Sequence, residues 1–220
     1  MLDASEFAVG KQPDVRAKLT TKRGAAMGKV FPGCESGPMK VLLYDRGVIF
    51  PYVPTIMFGH QANWGIHQPT HSNFRYLFFQ NYAMQELTVT CPFTATTAAE
   101  GRYMEGAMHF FKSAMKMGFG EYDDYRGVPP PVLEFSVWGP AFAKNIPVVI
   151  QNFTYNIDSA TDYVWPLDTS TRSIGPNDSM LPLNVTFILT LTPTYSTKST
   201  RKEFTSRNFY NGSLLQNGYS

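Results

Sequence analysis

Cysteines and charges are both scarce in this sequence. Cys34 and Cys91 are its only cysteines, which excludes a disulfide framework and a multi-cysteine zinc site and favours a reduced protein assembled in the cytosol. Asp, Glu, Lys and Arg make up 16% of the 220 residues, whereas a quarter is usual. The net charge of +2 is too small to indicate nucleic-acid binding by the whole molecule. So few charges favour a subunit that covers its exposed faces with protein neighbours.

Long apolar runs and catalytic motifs are missing as well. No run approaches the roughly 18 apolar residues of a membrane span, and the first residues lack the apolar segment of a signal peptide. GxSxG, GxGxxG, HExxH and the phosphate-binding loop do not occur. His60, His67 and His71 have metal-like spacing, but Pro69 prevents the helix that would bring the last two to one face. We therefore expect no enzyme, no cofactor and no metal site.

One stretch of the sequence has a sustained helical period. Thr97 and Glu100 have the spacing of a capping box, which marks a helix start. Large apolar residues then recur every three or four positions, and Gly118 and Gly120 are typical of a helix end. We predict one flanking α-helix over about residues 98–117, packed on a sheet. Its core face is predicted to consist of Tyr103, Met104, Met108, Phe111 and Met115, with Ala107 and Ala114 between them.

Much of the remaining sequence alternates between apolar and polar residues, as strands do. The alternation is clearest over residues 85–93 and 182–195. Residues 39–53 are predicted to form a hairpin around Asp45-Arg46-Gly47, because the glycine suits a tight turn. Residues 59–73 are predicted to be a loop, and residues 73–79 are predicted to pair with 85–93. The fold class expected is mainly β, of the α+β kind.

The two ends of the chain differ from its centre. Residues 1–38 place basic residues among Gly, Pro and Thr without an apolar period, and they are predicted to form an extended N-terminal arm. The arm would wrap a neighbouring subunit or be an ordinary solvated terminus. Residues 39–198 are predicted to be the β domain, and residues 199–220 a polar C-terminal tail.

A series of motifs in a fixed order carries a family resemblance. The motifs are IFPYVPTI (49–56), PTHSNF (69–74), HFFKSAMKMGFG (109–120), PPPVLEFSVWGP (129–140), IPVVIQNFTYNI (146–157) and LPLNVTFILTLTPTYS (181–196). Over about residues 40–198 the series resembles the tail-tube initiator, or tube–baseplate junction protein, of contractile-tailed bacteriophages. The resemblance implies an antiparallel β-barrel or sandwich with one flanking helix, like the tail-tube and type VI secretion tube proteins.

The same resemblance implies a place in the virion. Six copies would form a ring that joins the baseplate hub to the tail tube and initiates tube assembly. Its partners would be sister copies in a homo-hexamer, the tail tube protein, baseplate hub proteins, and the sheath or a second initiator ring. The subunit would be assembled in the host cytoplasm, would contact no membrane, and would let DNA pass through its lumen without specific binding.

A DNA-conducting lumen needs a lining that is polar without being cationic. Lysines would bind phosphate and slow the passage of DNA, whereas threonine and asparagine would not. Threonines on a strand can also simply face solvent, and this alternative stays open. The candidate lumen-facing residues are Thr88, Thr90, Thr186, Thr190 and Thr192, with Asn184 beside them.

Two other functions fit the sequence. The chain could be a repeating tail-tube subunit, which the number of copies per virion would distinguish from a six-copy ring. It could also be a carbohydrate-binding β-sandwich with Trp64 and Trp165 as stacking platforms, because aromatic rings pack on sugar faces.

Overall fold

The computed structural model describes residues 15–121, 123–139, 142–164 and 180–219. The chain is mainly β, as the sequence predicts. Its elements in order are β1 (Lys18–Thr21), α1 (Met27–Val30), a 3-10 helix (Pro38–Leu42), β2 (Gly47–Ile49), β3 (Thr55–Met57), β4 (His60–His67), β5 (Tyr76–Met84), β6 (Leu87–Thr94), α2 (Ala98–Ser113), β7 (Leu133–Val137), β8 (Ala143–Asn156), β9 (Tyr163–Val164), β10 (Leu181–Pro182), β11 (Asn184–Pro193), α3 (Thr197–Glu203), α4 (Ser206–Tyr210) and a second 3-10 helix (Ser213–Asn217).

Seven of these strands form one antiparallel sheet in the order β2-β1-β7-β8-β11-β6-β3. The pairs β4-β5 and β9-β10 form separate two-stranded sheets. Strands β2 and β3 are the two borders of the large sheet, and the described strands close no barrel. One face of the large sheet carries the hydrophobic core, and α2 lies against that face.

Helix α2 begins at the predicted capping box. Thr97 Oγ1 accepts the backbone N–H of Glu100 at 3.3 Å, and the Glu100 carboxylate accepts the backbone N–H of Thr97 at 3.1 Å. Hydrogen bonds from Thr96 and Thr97 lower the pKa of Glu100. The helix ends at Ser113, earlier than the predicted residue 117. The chain turns back there, because Gly118 exchanges backbone hydrogen bonds with residues 127 and 128.

The N-terminal segment is part of the core, which corrects the predicted extended arm for the residues the structure describes. Strand β1 lies between β2 and β7, inside the sheet. Ala17 and Leu19 are buried there, and Met27, Phe31 and Cys34 continue the core. The prediction failed because a strand of four residues is too short to display an alternating period.

Four further sequence predictions are wrong. Residues 38–42 form a 3-10 helix rather than one arm of a hairpin, because Pro38 at its first turn fixes a helical φ. Residues 60–67, placed in a predicted loop, form β4 and pair with β5. Residues 87–94 pair with β3 and β11, not with residues 73–79. The segment predicted as a polar tail forms α3, α4 and a 3-10 helix, and buries Leu214 and Tyr219.

Strand β2 is closed by a side chain from α2. The backbone N–H of Ile49 donates to the Tyr103 hydroxyl at 2.8 Å, and that hydroxyl donates to the Ile49 carbonyl at 2.8 Å. Val48 of this strand, and Phe50 just after it, point their backbone groups toward β1 and the residue before it. The groups of Ile49 point away from the sheet, so Tyr103 occupies the position that a further strand would take.

We expect Tyr103→Phe to destabilise the fold by about 1–3 kcal/mol at neutral pH, because two backbone groups lose their partner. Burial raises the pKa of Tyr103 to about 12. The stability that this hydroxyl contributes is therefore complete below pH 10 and falls as the pH rises toward 12. Urea unfolding from pH 8 to 12 should show a loss of about 2 kcal/mol in the native chain that Tyr103→Phe lacks.

Other groups that titrate in the same range remain in both proteins and provide the internal control. Burial raises the pKa of the Cys91 thiol to about 11, for example. Equal alkaline slopes for the native chain and Tyr103→Phe would show that the Tyr103 hydroxyl does not protect β2.

Candidate lumen and assembly surfaces

The face of the large sheet opposite α2 carries uncharged polar side chains across four strands. Thr88 lies directly opposite Thr190 of β11, and Thr90 lies opposite Ile188. On the other side of β6, Met57 and Thr55 of β3 are paired with the same two threonines. We call this surface the uncharged face. Its members are Thr55 and Met57, Thr88, Thr90, Pro92 and Thr94, Asn184, Thr186, Ile188, Thr190 and Thr192, and Asn152, Thr154 and Asn156.

A β-bulge brings the asparagines of β8 onto this face. The register of β8 against β11 shifts between Thr190 and Leu191, so that Asn152 is opposite Thr190 whereas Ile150 is opposite Leu191. Because β8 has one extra residue at this point, every later side chain of β8 lies on the opposite face from the one that strict alternation would give. Gln151, at the bulge, accepts a hydrogen bond from the Thr192 hydroxyl at 2.9 Å.

The five predicted lumen-facing threonines are all half-buried on this face. The buried residues that alternate with them, such as Val89 and Leu189, point into the core. The charged side chains of the described neighbouring strands lie outside this strip, at Lys144 near the start of β8, Glu134 of β7 and Lys18 of β1. The uncharged face is thus a continuous strip at the β3 end of the sheet.

The predicted core face of α2 is placed as follows. Met104 and Phe111 are fully buried, and Tyr103, Met108 and Met115 are partly buried against the core. Phe110, outside the predicted core face, is fully buried, and its ring centroid lies 5.3 Å from that of Phe31. The predicted face does not include Phe110, because two adjacent apolar residues, Phe110 and Phe111, do not both fit one narrow apolar stripe of a helix.

A second surface extends beyond the sheet. Strands β3 and β6 are paired, β4 and β5 are paired, and the backbone N–H of Gln85 donates to the Gly59 carbonyl at 2.8 Å between the two pairs. The chain from 55 to 94 is therefore one long ribbon of two strands. Its outer part, β4 and β5 with the connecting turn, leaves the sheet, and we call it the hairpin.

One side of the hairpin is apolar and exposed. Trp64 lies opposite Phe79, and Ile66 lies opposite Leu77. Trp64 and Phe79 contact each other edge to face, with ring centroids 5.6 Å apart. All four side chains, and Tyr82 nearer the sheet, are more than half exposed. Exposed apolar residues on this scale mark an interaction surface.

The other side of the hairpin is polar near its base. Asn63 donates to Asn81 at 2.7 Å, and Gln61 donates to Asn63 at 2.8 Å. Phe78 covers the cross-strand Gly65, where an added Cβ would lie only 2.3 Å from the phenylalanine ring. The amide ladder holds the two strands together and leaves the apolar side available for a partner.

The remaining candidate residues do not converge on a reactive centre. His60 hydrogen-bonds to Tyr82 on the hairpin, whereas His71 lies in the turn with a φ of 61°. Within the part of the chain that the structure describes, no group of three His, Cys, Asp or Glu residues could hold a metal ion. Trp64 belongs to the hairpin, and Trp165 lies outside the described residues.

No family model matches the chain, and no curated protein matches it. Among the described helices, none is long and apolar enough to cross a membrane. The uncharged face and the hairpin therefore carry the evidence for function.

Proposed function

We propose that this chain is a structural, non-enzymatic subunit of a contractile phage tail, six copies of which form a ring that joins the baseplate hub to the tail tube. The observation that carries the proposal is the uncharged face. If that face is turned inward in a ring, it gives a wet lining that attracts phosphate weakly, because it contains no lysine or arginine. Duplex DNA could then move through the lumen without being held.

The hairpin supports assembly into such a ring. A two-stranded hairpin is marginally stable by itself in water, and this one exposes a tryptophan, a phenylalanine and two aliphatic side chains on one side. At roughly 150–250 Å² for each aromatic side chain, the exposed part of this side amounts to a few hundred Å². Burial against a neighbouring copy would stabilise both the hairpin and the ring.

The sheet of one copy is open, so the tail-tube-like barrel that the resemblance implies would have to be completed between copies. Strand β3 and the ribbon that continues from it form the border that is not closed by Tyr103. In a ring, sister copies would complete this border and surround the channel with their uncharged faces. The tail tube protein would then stack on one side of the ring, and hub proteins on the other.

The purified chain is expected to form a particle of six times 24.7 kDa, about 150 kDa, with a central hole. Native mass spectrometry and electron microscopy measure both. In that ring, Thr190→Lys would place six cations on the proposed lining and should make duplex DNA binding measurable and strongly salt-dependent. Ala99→Lys, at an exposed position of α2 on the other side of the sheet, adds the same single charge as a control and should leave DNA binding unchanged.

The copy number also separates this function from its closest alternative. A chain that polymerises into long tubes without an added tube protein would be the repeating subunit. A monomer at high concentration that does not nucleate tube subunits would contradict the ring, and equal DNA binding by both lysine variants would contradict an inward-facing uncharged face.

A further inference from the structure

An apolar cavity of about 780 Å³ lies where the base of the hairpin meets the C-terminal helices. Its walls come from two distant parts of the chain, the ribbon and the segment after β11. The lining is largely aromatic. The main wall residues are Tyr82, Met84, Tyr195, Phe204, Phe209 and Tyr219.

The hydroxyls of Tyr195 and Tyr219 in this wall already have hydrogen-bond partners in the same part of the chain. The rings of Tyr195 and Tyr219 stack with centroids 5.3 Å apart. The Tyr195 hydroxyl donates to the Gly218 carbonyl at 3.0 Å, and the Tyr219 hydroxyl donates to the Glu203 carboxylate at 3.4 Å. Phe204 packs against Tyr219 at 6.1 Å. The cavity is therefore preformed, and it presents ring faces to whatever enters, which favours an apolar side chain.

The helices that form one wall are basic on their exposed sides. Lys198, Arg201 and Lys202 of α3 and Arg207 of α4 are all exposed, and Glu203 is the one acid in these two helices. An apolar cavity beside four cations is complementary to a peptide that carries an apolar anchor between carboxylates. The charge favours an acidic peptide over a basic or neutral one.

Such a segment exists in this chain. Residues 1–10 contain Asp3 and Glu6 but no lysine or arginine, and they include the apolar residues Leu2, Phe7 and Val9. These residues lie outside the part that the structure describes. We propose that residues 2–9 of one copy dock in this cavity of a neighbouring copy, with Phe7 inside and the two carboxylates against the cations of α3 and α4.

The geometry favours a neighbouring copy over the same chain. The carbonyl of Val15, the first described residue, accepts from the N–H of Trp138 at one end of β1. Lys22, past the other end of β1, lines the cleft shared by Tyr195 and Tyr219. The strand between them spans about 23 Å, and the eight residues from Phe7 to Val15 reach at most roughly 28 Å. Docking in the same copy would need an almost fully stretched chain.

Disulfide trapping between two full-length variants tests the contact. Phe7→Cys is mixed with a differently tagged Thr200→Cys, whose cysteine lies in the cavity wall. The native Cys34 and Cys91 are buried and do not compete. The mixed disulfide is expected to form at least about tenfold faster than with Tyr44→Cys, an exposed site outside the cavity, because docking raises the local thiol concentration.

A charge exchange shows whether the acidic residues specify the contact. Arg201→Glu combined with Lys202→Glu in the Thr200→Cys chain should slow the trapping about threefold to tenfold. Asp3→Lys with Glu6→Lys in the Phe7→Cys chain should restore the rate. Equal trapping at Thr200→Cys and Tyr44→Cys, absence of rescue, or a disulfide formed only within a chain that carries both Phe7→Cys and Thr200→Cys would overturn the inference.

The docking of residues 2–9 rests on the proposed ring, since it requires neighbouring copies. Experiments can nevertheless reject the docking and the ring independently. Six-copy rings whose Phe7→Cys and Thr200→Cys do not react would overturn the docking and leave the ring. Specific mixed disulfides in a protein that forms no ring would overturn the ring and leave the docking.

Discussion

Phe111→Asp is expected to unfold the domain. Phe111 is fully buried between α2 and the sheet, with ring contacts to Phe153 at 5.1 Å and Phe187 at 5.9 Å. The change removes this packing and places a carboxylate among buried apolar side chains, at a combined cost of more than about 5 kcal/mol. That is comparable with the whole stability of a typical domain. Circular dichroism during urea unfolding measures the loss.

His109→Asp is the matched control on the same helix. His109 is exposed, two positions before Phe111, so the same new charge stays in water. The expected loss is within about 1 kcal/mol, mostly from a negative charge near the helix C-terminus. If both variants unfolded at the same urea concentration, α2 would not be packed on the sheet through Phe111.

A paired charge substitution on the hairpin is expected to abolish the proposed ring while the subunit stays folded. Ile66 and Leu77 lie directly opposite each other on the apolar side. Ile66→Lys with Leu77→Glu keeps a favourable cross-strand pair but makes that side unable to bury itself against a neighbour. The association constant should fall at least about a hundredfold, as for a central interface position. Analytical ultracentrifugation measures the association.

The control uses the opposite side of the same hairpin. Asn63 and Asn81 are also directly paired, so Asn63→Lys with Asn81→Glu introduces the same two charges in the same relation. Rings should form nearly as in the native chain. Loss of rings in both double variants would indicate a general effect of charge on the hairpin, and rings in both would show that its apolar side is not an assembly surface.

The parts of the fold that the sequence predicted are those with a strong local signal. Thr97 and Glu100 give the start of α2 directly, because a capping box depends only on neighbours along the chain. β6 and β11 show their alternation because one side is in the core and the other is polar. The mainly β class followed from these same patterns.

The hairpin was missed for a physical reason. Strand β4 is exposed on both sides over most of its length, so its sequence has no contrast between an apolar and a polar face. Trp64 and Ile66 alone are too few to define a period. The signal that could have found it is the spacing of aromatic residues on the following strand, from Tyr76 to Tyr82.

The uncharged face could be predicted only in part. The threonines of β6 and β11 alternate in the sequence, but the contribution of β8 depends on the bulge opposite Thr190. Before the bulge, Val148 and Ile150 face the core, and after it Phe153 does. A single inserted residue cannot be recognised from apolar–polar alternation alone. The face on which Asn152 and Thr154 lie therefore follows only from the observed pairing of β8 with β11.

The Tyr103 hydroxyl, which bonds the outward groups of Ile49 in β2, also affects how readily single chains aggregate through the sheet. Filaments of the amyloid type grow without limit because every added sheet offers two borders, one occupied and one ready for the next molecule. In the seven-stranded sheet, Tyr103 satisfies both outward groups of Ile49, which partly closes the β2 border and leaves the β3 border the more open of the two. Two molecules that pair through their β3 strands would then expose only the partly closed β2 borders of this sheet. If the chain assembles as proposed, subunits at high concentration are therefore expected to pair rather than to seed a fibril through this sheet.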